Sequence, residues 1–172
     1  MLIETKRLTL SNLCERDREN LFALFTDTTV NKTYLLPDFD SIDAFSPMFT
    51  NLLKISAEEK RVFLAIRLDD ELIGVIHEAG AGHPEGTTEI GYCLLPAYHN
   101  LGYTSEAFAA LIPVMFARGY RTVEAGAFIT NPASLRVMEK CGLTPIDKIE
   151  EVEYRGENHR IVYRSIEAKK QE

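Results

Sequence analysis

The chain has 172 residues, 45% hydrophobic and 26% charged, which is typical of a single globular domain over residues 1–172 and excludes a disordered chain. Its 19 basic and 26 acidic residues give a net charge of −7, which argues against nucleic-acid binding and suits a cationic partner such as an amine. The three cysteines form no CxxC pair, and no apolar run approaches the ~20 residues of a membrane span. We therefore expect a soluble cytoplasmic protein without disulfides or a membrane segment.

The first third of the chain predicts one strand and two helices. Apolar residues alternate near the end of Leu2–Leu10, as in a strand, and recur at helical spacing over about Cys14–Phe25 and Ile42–Ile55. Between the helices, Thr28–Asp40 mixes aspartates and a proline with aromatic residues and is predicted to be a loop.

A β-hairpin is the clearest local signal. Two apolar strands flank the turn pair Asp69-Asp70, and a glycine-containing turn then leads to a third strand that Pro96 ends. Three consecutive antiparallel strands are the simplest arrangement. They are Arg61–Arg67, Leu72–His77 and Thr88–Leu95.

The remainder alternates between helices and strands. Gly119 is predicted to follow the end of one helix, and Asn131 to cap the start of the next, with Pro132 at its first position. The order of elements indicates a mixed α/β fold, neither doubly wound nor a barrel. The predicted elements are a helix at Thr104–Arg118, a strand at Val123–Phe128, a helix at Asn131–Cys141, and strands at Ile149–Tyr154 and His159–Ile166.

The polar loop before the third helix is a candidate anion site. A helix N-terminus presents unpaired N–H groups and a positive dipole end, and Gly102 would let a phosphate oxygen approach the backbone. Taken alone, the loop is better explained as an ordinary connection with a glycine turn.

Order and spacing add a family resemblance. Glu89–Tyr92 followed by Pro96–Ala107 resembles motif A of the GNAT N-acetyltransferases, and Asn131–Leu143 resembles their motif B. The opening Ile3–Leu10 is similar to the start of the RimJ/RimL branch of ribosomal-protein acetyltransferases. The resemblance spans nearly the whole chain and is specific for fold, not for substrate.

This resemblance implies a mixed, strongly twisted, mostly antiparallel sheet of about seven strands. The sheet would be splayed between its fourth and fifth strands, with helices on both faces and acetyl-CoA in the gap as cosubstrate, without a metal. Leu94 and Leu95 fall where the family binds the pantetheine and polarises the thioester, and Asn131 and Ser134 fall along the pantetheine arm. The family's phosphate loop falls on His99, Asn100, Leu101, Gly102, Tyr103 and Thr104.

The loop departs from the family pattern in several places. His99 replaces the usual first residue, Asn100 a glycine, Leu101 a basic residue and Thr104 the final small residue. Losing the basic side chain removes a charge-assisted phosphate contact. His99 would replace it only in part, because histidine with a pKa of ~6.5 is mostly neutral at pH 7. Weak CoA binding is therefore expected.

The implied reaction is direct attack of a primary amine on the thioester in a ternary complex, which requires a proton acceptor. Glu89 is the first candidate base, against the alternative of a strand-end carboxylate in solvent. His77 and Glu78 come next but are predicted to be surface residues, and Glu124 is a weaker candidate.

The general acid has no candidate in the sequence. Met138 stands where the family often has a tyrosine that protonates the departing thiolate. Cys93 and Cys141 are predicted to be inert packing residues.

The acceptor amine would be a protein N-terminus, a polyamine or a small molecule, with no nucleic-acid or membrane partner and with homodimer formation left open. The alternative function is a non-catalytic GNAT-fold module that binds or senses CoA.

Overall fold

A computed structural model describes residues 1–58, 60–80 and 82–169. Three short 3₁₀ turns, Glu15–Asp17, Val30–Lys32 and Pro96–Tyr98, accompany the regular elements. In chain order these are β1 (Leu2–Glu4), β2 (Thr9–Ser11), α1 (Arg18–Thr26), α2 (Ile42–Ala57), β3 (Phe63–Leu68), β4 (Glu71–Ala79), β5 (Thr87–Leu94), α3 (Tyr103–Ala117), β6 (Thr122–Phe128), α4 (Pro132–Lys140), β7 (Thr144–Tyr154) and β8 (Glu157–Glu167).

The strands form one open sheet in the order β1-β2-β3-β4-β5-β6-β8-β7. The β5–β6 pair is parallel, whereas β1–β2, β2–β3, β3–β4, β6–β8 and β7–β8 are antiparallel. The predicted mixed, mostly antiparallel sheet is thus confirmed, with eight strands rather than about seven.

The β5–β6 ladder is short. Its three register pairs run from Thr87–Thr122 to Glu89–Glu124, although β5 continues to Leu94 and β6 to Phe128. The predicted splay between the fourth and fifth strands stays a prediction.

The N-terminal segment forms two short strands, so the prediction of one strand within Leu2–Leu10 is wrong. The chain turns between them because Thr5 N–H donates to the Leu8 carbonyl at 2.9 Å and the Thr5 hydroxyl accepts from Leu8 N–H at 2.9 Å. A threonine side chain that bonds the backbone in this way competes with the strand ladder.

The described residues fall into two compact units, Met1–Glu78 with Tyr92–Ala107 and Ala79–Gly91 with Phe108–Glu172. The single domain stays a prediction. In the first unit, α1 and α2 bury an aromatic cluster around fully buried Phe45, whose ring lies 5.7–6.0 Å from those of Phe22, Phe25 and Phe49. Ser41 caps α2 by accepting from Ala44 N–H.

An ion pair is buried in the same unit. The Arg67 guanidinium donates to both oxygens of Asp17 at 2.7 Å, and the two side chains are 4% and 3% exposed. Its Nε donates to the Ser11 hydroxyl at 2.8 Å. The Cys14 N–H donates a further bond to the Asp17 carboxylate at 2.8 Å, so the buried charges are paired and hydrogen-bonded.

The second unit is built on β6, β8 and β7. Gly126 lies opposite Tyr163 in the β6–β8 ladder, and a Cβ atom on it would lie 2.7 Å from the Tyr163 ring, so no larger residue fits without a shift. The final hairpin is confirmed but begins earlier than predicted, because β7 starts at Thr144, with a register shift between Pro145 and Ile149. None of the described helices has the length and apolarity to cross a bilayer.

The predicted hairpin turn, the cap of α4 and the glycine after α3 are confirmed. Asp69 and Asp70 both have positive φ, at 50° and 71°, as a two-residue hairpin turn requires. The Asn131 side chain caps α4 by accepting from Ser134 N–H at 3.2 Å, and Gly119 follows α3 with φ of 99°.

Candidate functional site

The loop before α3 has the backbone shape of an anion site. Asn100 and Gly102 have φ of 62° and 81°, on either side of exposed Leu101. Asparagine is one of the few non-glycine residues that tolerates this conformation, which explains how Asn100 replaces the family's glycine. Within the residues that the structure describes, the five main-chain N–H groups of Asn100–Thr104 have no acceptor. Successive N–H groups in such a segment form an anion-binding concavity.

The His99 side chain is hydrogen-bonded to the end of β5, and its predicted contact with phosphate stays a prediction. Its Nε2 donates to the Leu94 carbonyl at 2.8 Å, which fixes the loop to the end of β5. That ring nitrogen is therefore used within the protein and not directed to a phosphate.

Leu94 and Leu95 lie where β5 meets the loop. Leu94 is 3% exposed. The Leu95 N–H donates to the Ile73 carbonyl at 2.9 Å, so this predicted pantetheine donor already has a partner. Gly74 on β4 lets β5 approach closely, since a Cβ atom at Gly74 would lie 2.4 Å from the Cys93 carbonyl oxygen.

Arg7 lies against the same loop, and sequence reasoning missed it. Its main-chain N–H and Nε donate to the two oxygens of Glu106 at 2.8 and 2.7 Å, and Nη1 donates to the Leu101 carbonyl at 2.9 Å. The guanidinium carbon stacks 4.3 Å from the centre of the Tyr103 ring. The similarity of Ile3–Leu10 to a family opening was the only signal, and it carried no role for the side chain.

Glu89 lies in the second unit at the end of the short ladder. Its side chain is 18% exposed, so it is not the carboxylate in solvent of the alternative interpretation. Burial raises its pKa, which Lys148 and His83 counteract, and His83 Nε2 lies 4.0 Å from its Oε2. Among the described residues it accepts no hydrogen bond.

Lys148, also missed, is already paired beside this carboxylate. Its Nζ donates to Glu124 Oε2 at 2.9 Å and lies 4.0 Å from the centre of the Tyr163 ring. Glu124, the weaker candidate base, is thus ion-paired, and it faces Glu89 across the register. No pattern along β7 or β8 indicated Lys148 or Tyr163 in the sequence.

His77 and Glu78 are not surface residues, so that prediction is wrong. Glu78 is 7% exposed and accepts from Val62 N–H at 2.6 Å. His77 stacks on Phe63, with ring centres 5.0 Å apart, bonds the Glu78 carbonyl through Nδ1, and pairs through Nε2 with the Tyr34 hydroxyl. Burial lowers the pKa of His77, which favours the neutral ring.

The remaining predicted residues are the two cysteines, Met138, and Asn131 and Ser134 at the start of α4. Burial raises the pKa of Cys93 and raises that of Cys141 to about 11, so neither thiol is activated. Met138 is fully buried in the core. Asn131 and Ser134 share the cap bond of α4, which leaves their predicted contact with pantetheine an expectation.

Comparison with known proteins identifies similar sequences and folds. Residues 7–144 match the family model for an acetyltransferase (GNAT) domain. YoaA, an uncharacterized N-acetyltransferase of Bacillus subtilis, is 30% identical over 144 residues, 82% of this chain and 81% of that protein. These matches confirm the resemblance carried by motifs A and B.

Solved structures show the same fold at lower identity. An acetyltransferase (GNAT family) from Bacillus anthracis has a TM-score of 0.82 and 24% identity, covering 97% of this chain and 98% of its own. The RimL ribosomal L7/L12 alpha-N-protein acetyltransferase, solved in complex with coenzyme A, has a TM-score of 0.83 and 18% identity, covering 97% and 98%.

Proposed function

Because the chain belongs to the GNAT acetyltransferase family, we propose that it transfers an acetyl group from acetyl-CoA to a primary amine by direct attack in a ternary complex. The acceptor is a protein N-terminus, a polyamine or a small molecule, and the net charge of −7 suits a cationic amine. We also propose a cytoplasmic location for a single acetyltransferase domain over residues 1–172, with homodimer formation open.

One observation carries the proposal. The loop from Asn100 to Thr104 offers five main-chain N–H groups without an acceptor in the described chain, at the start of α3. A pyrophosphate would satisfy them and would gain from the helix dipole. His99 supports the same reading, since its bond to the Leu94 carbonyl holds this loop to β5.

Glu89 is proposed as the base. Acetyl-CoA supplies the acetyl group as a thioester. An amine arrives protonated at neutral pH, so a group must accept its proton before the new C–N bond forms. Glu89 suits this task because burial raises its pKa and its oxygens accept no hydrogen bond among the described residues. Transfer would form the C–N bond of the amide and break the C–S bond of the thioester, and one of the two protons left on the amine nitrogen would pass to the departing thiolate.

A second candidate is a module that binds or senses CoA without transfer. Buried Met138 favours it, since a thioether cannot protonate a thiolate and the described chain offers no other assigned acid.

The test compares Glu89→Gln with the control Glu151→Gln, a change of the same kind at an exposed carboxylate that pairs with Arg160. Thiol release from acetyl-CoA is measured over a panel of amines that includes N-terminal peptides and polyamines, and CoA affinity is measured by calorimetry. Glu89→Gln should lower kcat by about 10² to 10⁴, the usual contribution of a general base, with CoA affinity unchanged. The control should match the wild type.

Other outcomes separate the alternatives. CoA binding without turnover on any amine would support the sensing module. Absence of CoA binding by the wild type would reject both functions.

A further inference from the structure

The phosphate loop contains no Lys or Arg between His99 and Thr104. Leu101, in the position of the family's basic residue, is 52% exposed. A pyrophosphate bound only by main-chain N–H groups would lack the charge-assisted bonds that make phosphate sites tight. A positive charge that pairs with the pyrophosphate must then come from another part of the chain, or the site has none.

Arg7 reaches this loop from the other end of the first unit's sequence. The turn at Thr5–Leu8 brings it there, and its Nη1 donates to the carbonyl of Leu101 itself at 2.9 Å. Stacking on the Tyr103 ring and the Nε bond to Glu106 fix the plane of the guanidinium. The Arg7 guanidinium is thus held beside Leu101, whose own side chain carries no charge.

Glu106 lies in the first turn of α3, where an unpaired carboxylate would repel a phosphate. The Thr5 hydroxyl donates to one of its oxygens at 2.7 Å, and Arg7 donates to both. Burial works to raise the pKa of Glu106, but the hydrogen bonds from Thr5 and Arg7 outweigh it and lower the pKa. Its charge is thereby neutralised locally, and the carboxylate serves to position Arg7.

One end of the Arg7 guanidinium has no partner in the part of the chain that the structure describes. Nη2 of Arg7 has no acceptor among the described residues, and it lies 3.4 Å from where a Cβ atom of Gly102 would be. Gly102 therefore provides both the positive φ and the space beside Nη2. These N–H protons lie next to the same segment whose main-chain donors are unsatisfied.

We propose that Arg7, positioned by Glu106, contacts the CoA pyrophosphate and supplies the charge that the loop sequence lacks. The inference rests on the proposed cofactor of this family but not on catalysis, so binding alone tests it. It also changes the expectation of weak CoA binding, since the loss at Leu101 is compensated.

The experiment titrates CoA, 3′-dephospho-CoA and pantetheine into Arg7→Gln and wild type by calorimetry. The first two ligands contain the pyrophosphate and pantetheine does not. Losing one charged hydrogen bond should weaken CoA and dephospho-CoA equally, by about tenfold to a hundredfold, and leave pantetheine unchanged. The matched control is Arg16→Gln, which removes an exposed guanidinium paired with Asp70 and should change none of the three.

Three results would overturn the inference: no loss with CoA, a loss with CoA but not dephospho-CoA, or an equal loss with pantetheine, as expected of a purely structural role. If the wild type binds no CoA, the proposed function fails and this inference with it. If Arg7→Gln does not fold, Arg7→Lys retains charge without the planar fork. It should then weaken CoA a few-fold with pantetheine unchanged, and an equal loss of pantetheine would again contradict the role.

Discussion

Three carboxylates that are at most 18% exposed have pKa values that shift in opposite directions in the two units. In the first unit, Asp17 and Glu106 are held by arginines, and both pKa values are lowered although burial acts to raise them. In the second unit, Glu89 is near Lys148 and His83, and burial raises its pKa. Burial alone therefore does not decide the charge of a carboxylate here.

The difference lies in the number and geometry of the donors. The Asp17 carboxylate accepts hydrogen bonds from both terminal nitrogens of Arg67 and from the Cys14 N–H. The planar guanidinium matches the geometry of a carboxylate. Lys148 is a single ammonium that donates to Glu124, so it reaches Glu89 only through space. Asp17 is thus held in a hydrogen-bonded ion pair, whereas Glu89 has a raised pKa and accepts no hydrogen bond among the described residues.

The largest effect, on the free energy of unfolding, is expected from breaking the Arg67–Asp17 pair. Asp17→Ala leaves Arg67, 4% exposed, without its counter-charge, and removal of one partner of a buried pair costs about 3–5 kcal/mol. Urea unfolding followed by circular dichroism measures the free energy of unfolding. Arg16→Gln, which breaks the exposed pair with Asp70, is the control and should not measurably change it. Similar losses in both variants would show that burial of the Arg67–Asp17 pair does not matter.

Local signals predicted most of this fold. The Asp69-Asp70 turn, the Asn131 cap and the position of Gly119 all depend on residues within a few positions of each other, and each was confirmed. The element order was also correct, apart from the turn at Thr5–Leu8. That turn depends on a threonine hydroxyl which a strand pattern does not reveal.

The charged groups of the candidate sites were harder to predict. Arg7 and Glu106 are 99 residues apart in sequence, and Lys148 and Glu124 are 24 apart, so only the folded chain brings them together. Glu89 is a candidate base because it starts the strand of motif A, and this role stays a prediction; its burial was not predictable from the sequence. The expected surface position of Glu78 failed for the same reason, since its carboxylate accepts from a neighbouring strand end.

The charges around Glu89 can be tested through the pH dependence of kcat/KM. If Glu89 is the base, kcat/KM rises with pH through its pKa, because only the ionised carboxylate accepts a proton. Lys148→Met removes a positive charge that lowers this pKa, so the rising limb should move to higher pH. Glu150→Gln removes a negative charge that raises the pKa and should move the limb to lower pH.

Glu151→Gln is the matched control for the pH profile. It lies next to Glu150 on β7 but pairs with Arg160 at 3.2 Å, and it should leave the limb in place. The wild-type profile, measured with a good acceptor, supplies the reference. A limb that ignores both Lys148→Met and Glu150→Gln would mean that a group other than Glu89 limits the rate.

The smallest effect should come from returning a basic residue to the loop. Leu101→Lys puts an ammonium on a 52% exposed side chain, where solvent screens it, so we expect CoA to bind only about two- to fivefold tighter. Leu35→Lys, at a site that is 48% exposed, is the control and should not change CoA affinity. In the Arg7→Gln background the gain from Leu101→Lys should be larger than in the wild type, because the phosphate then has no other cation. Equal gains in the two backgrounds would mean that Arg7 and residue 101 act on CoA independently, and that Arg7 does not replace the missing loop charge.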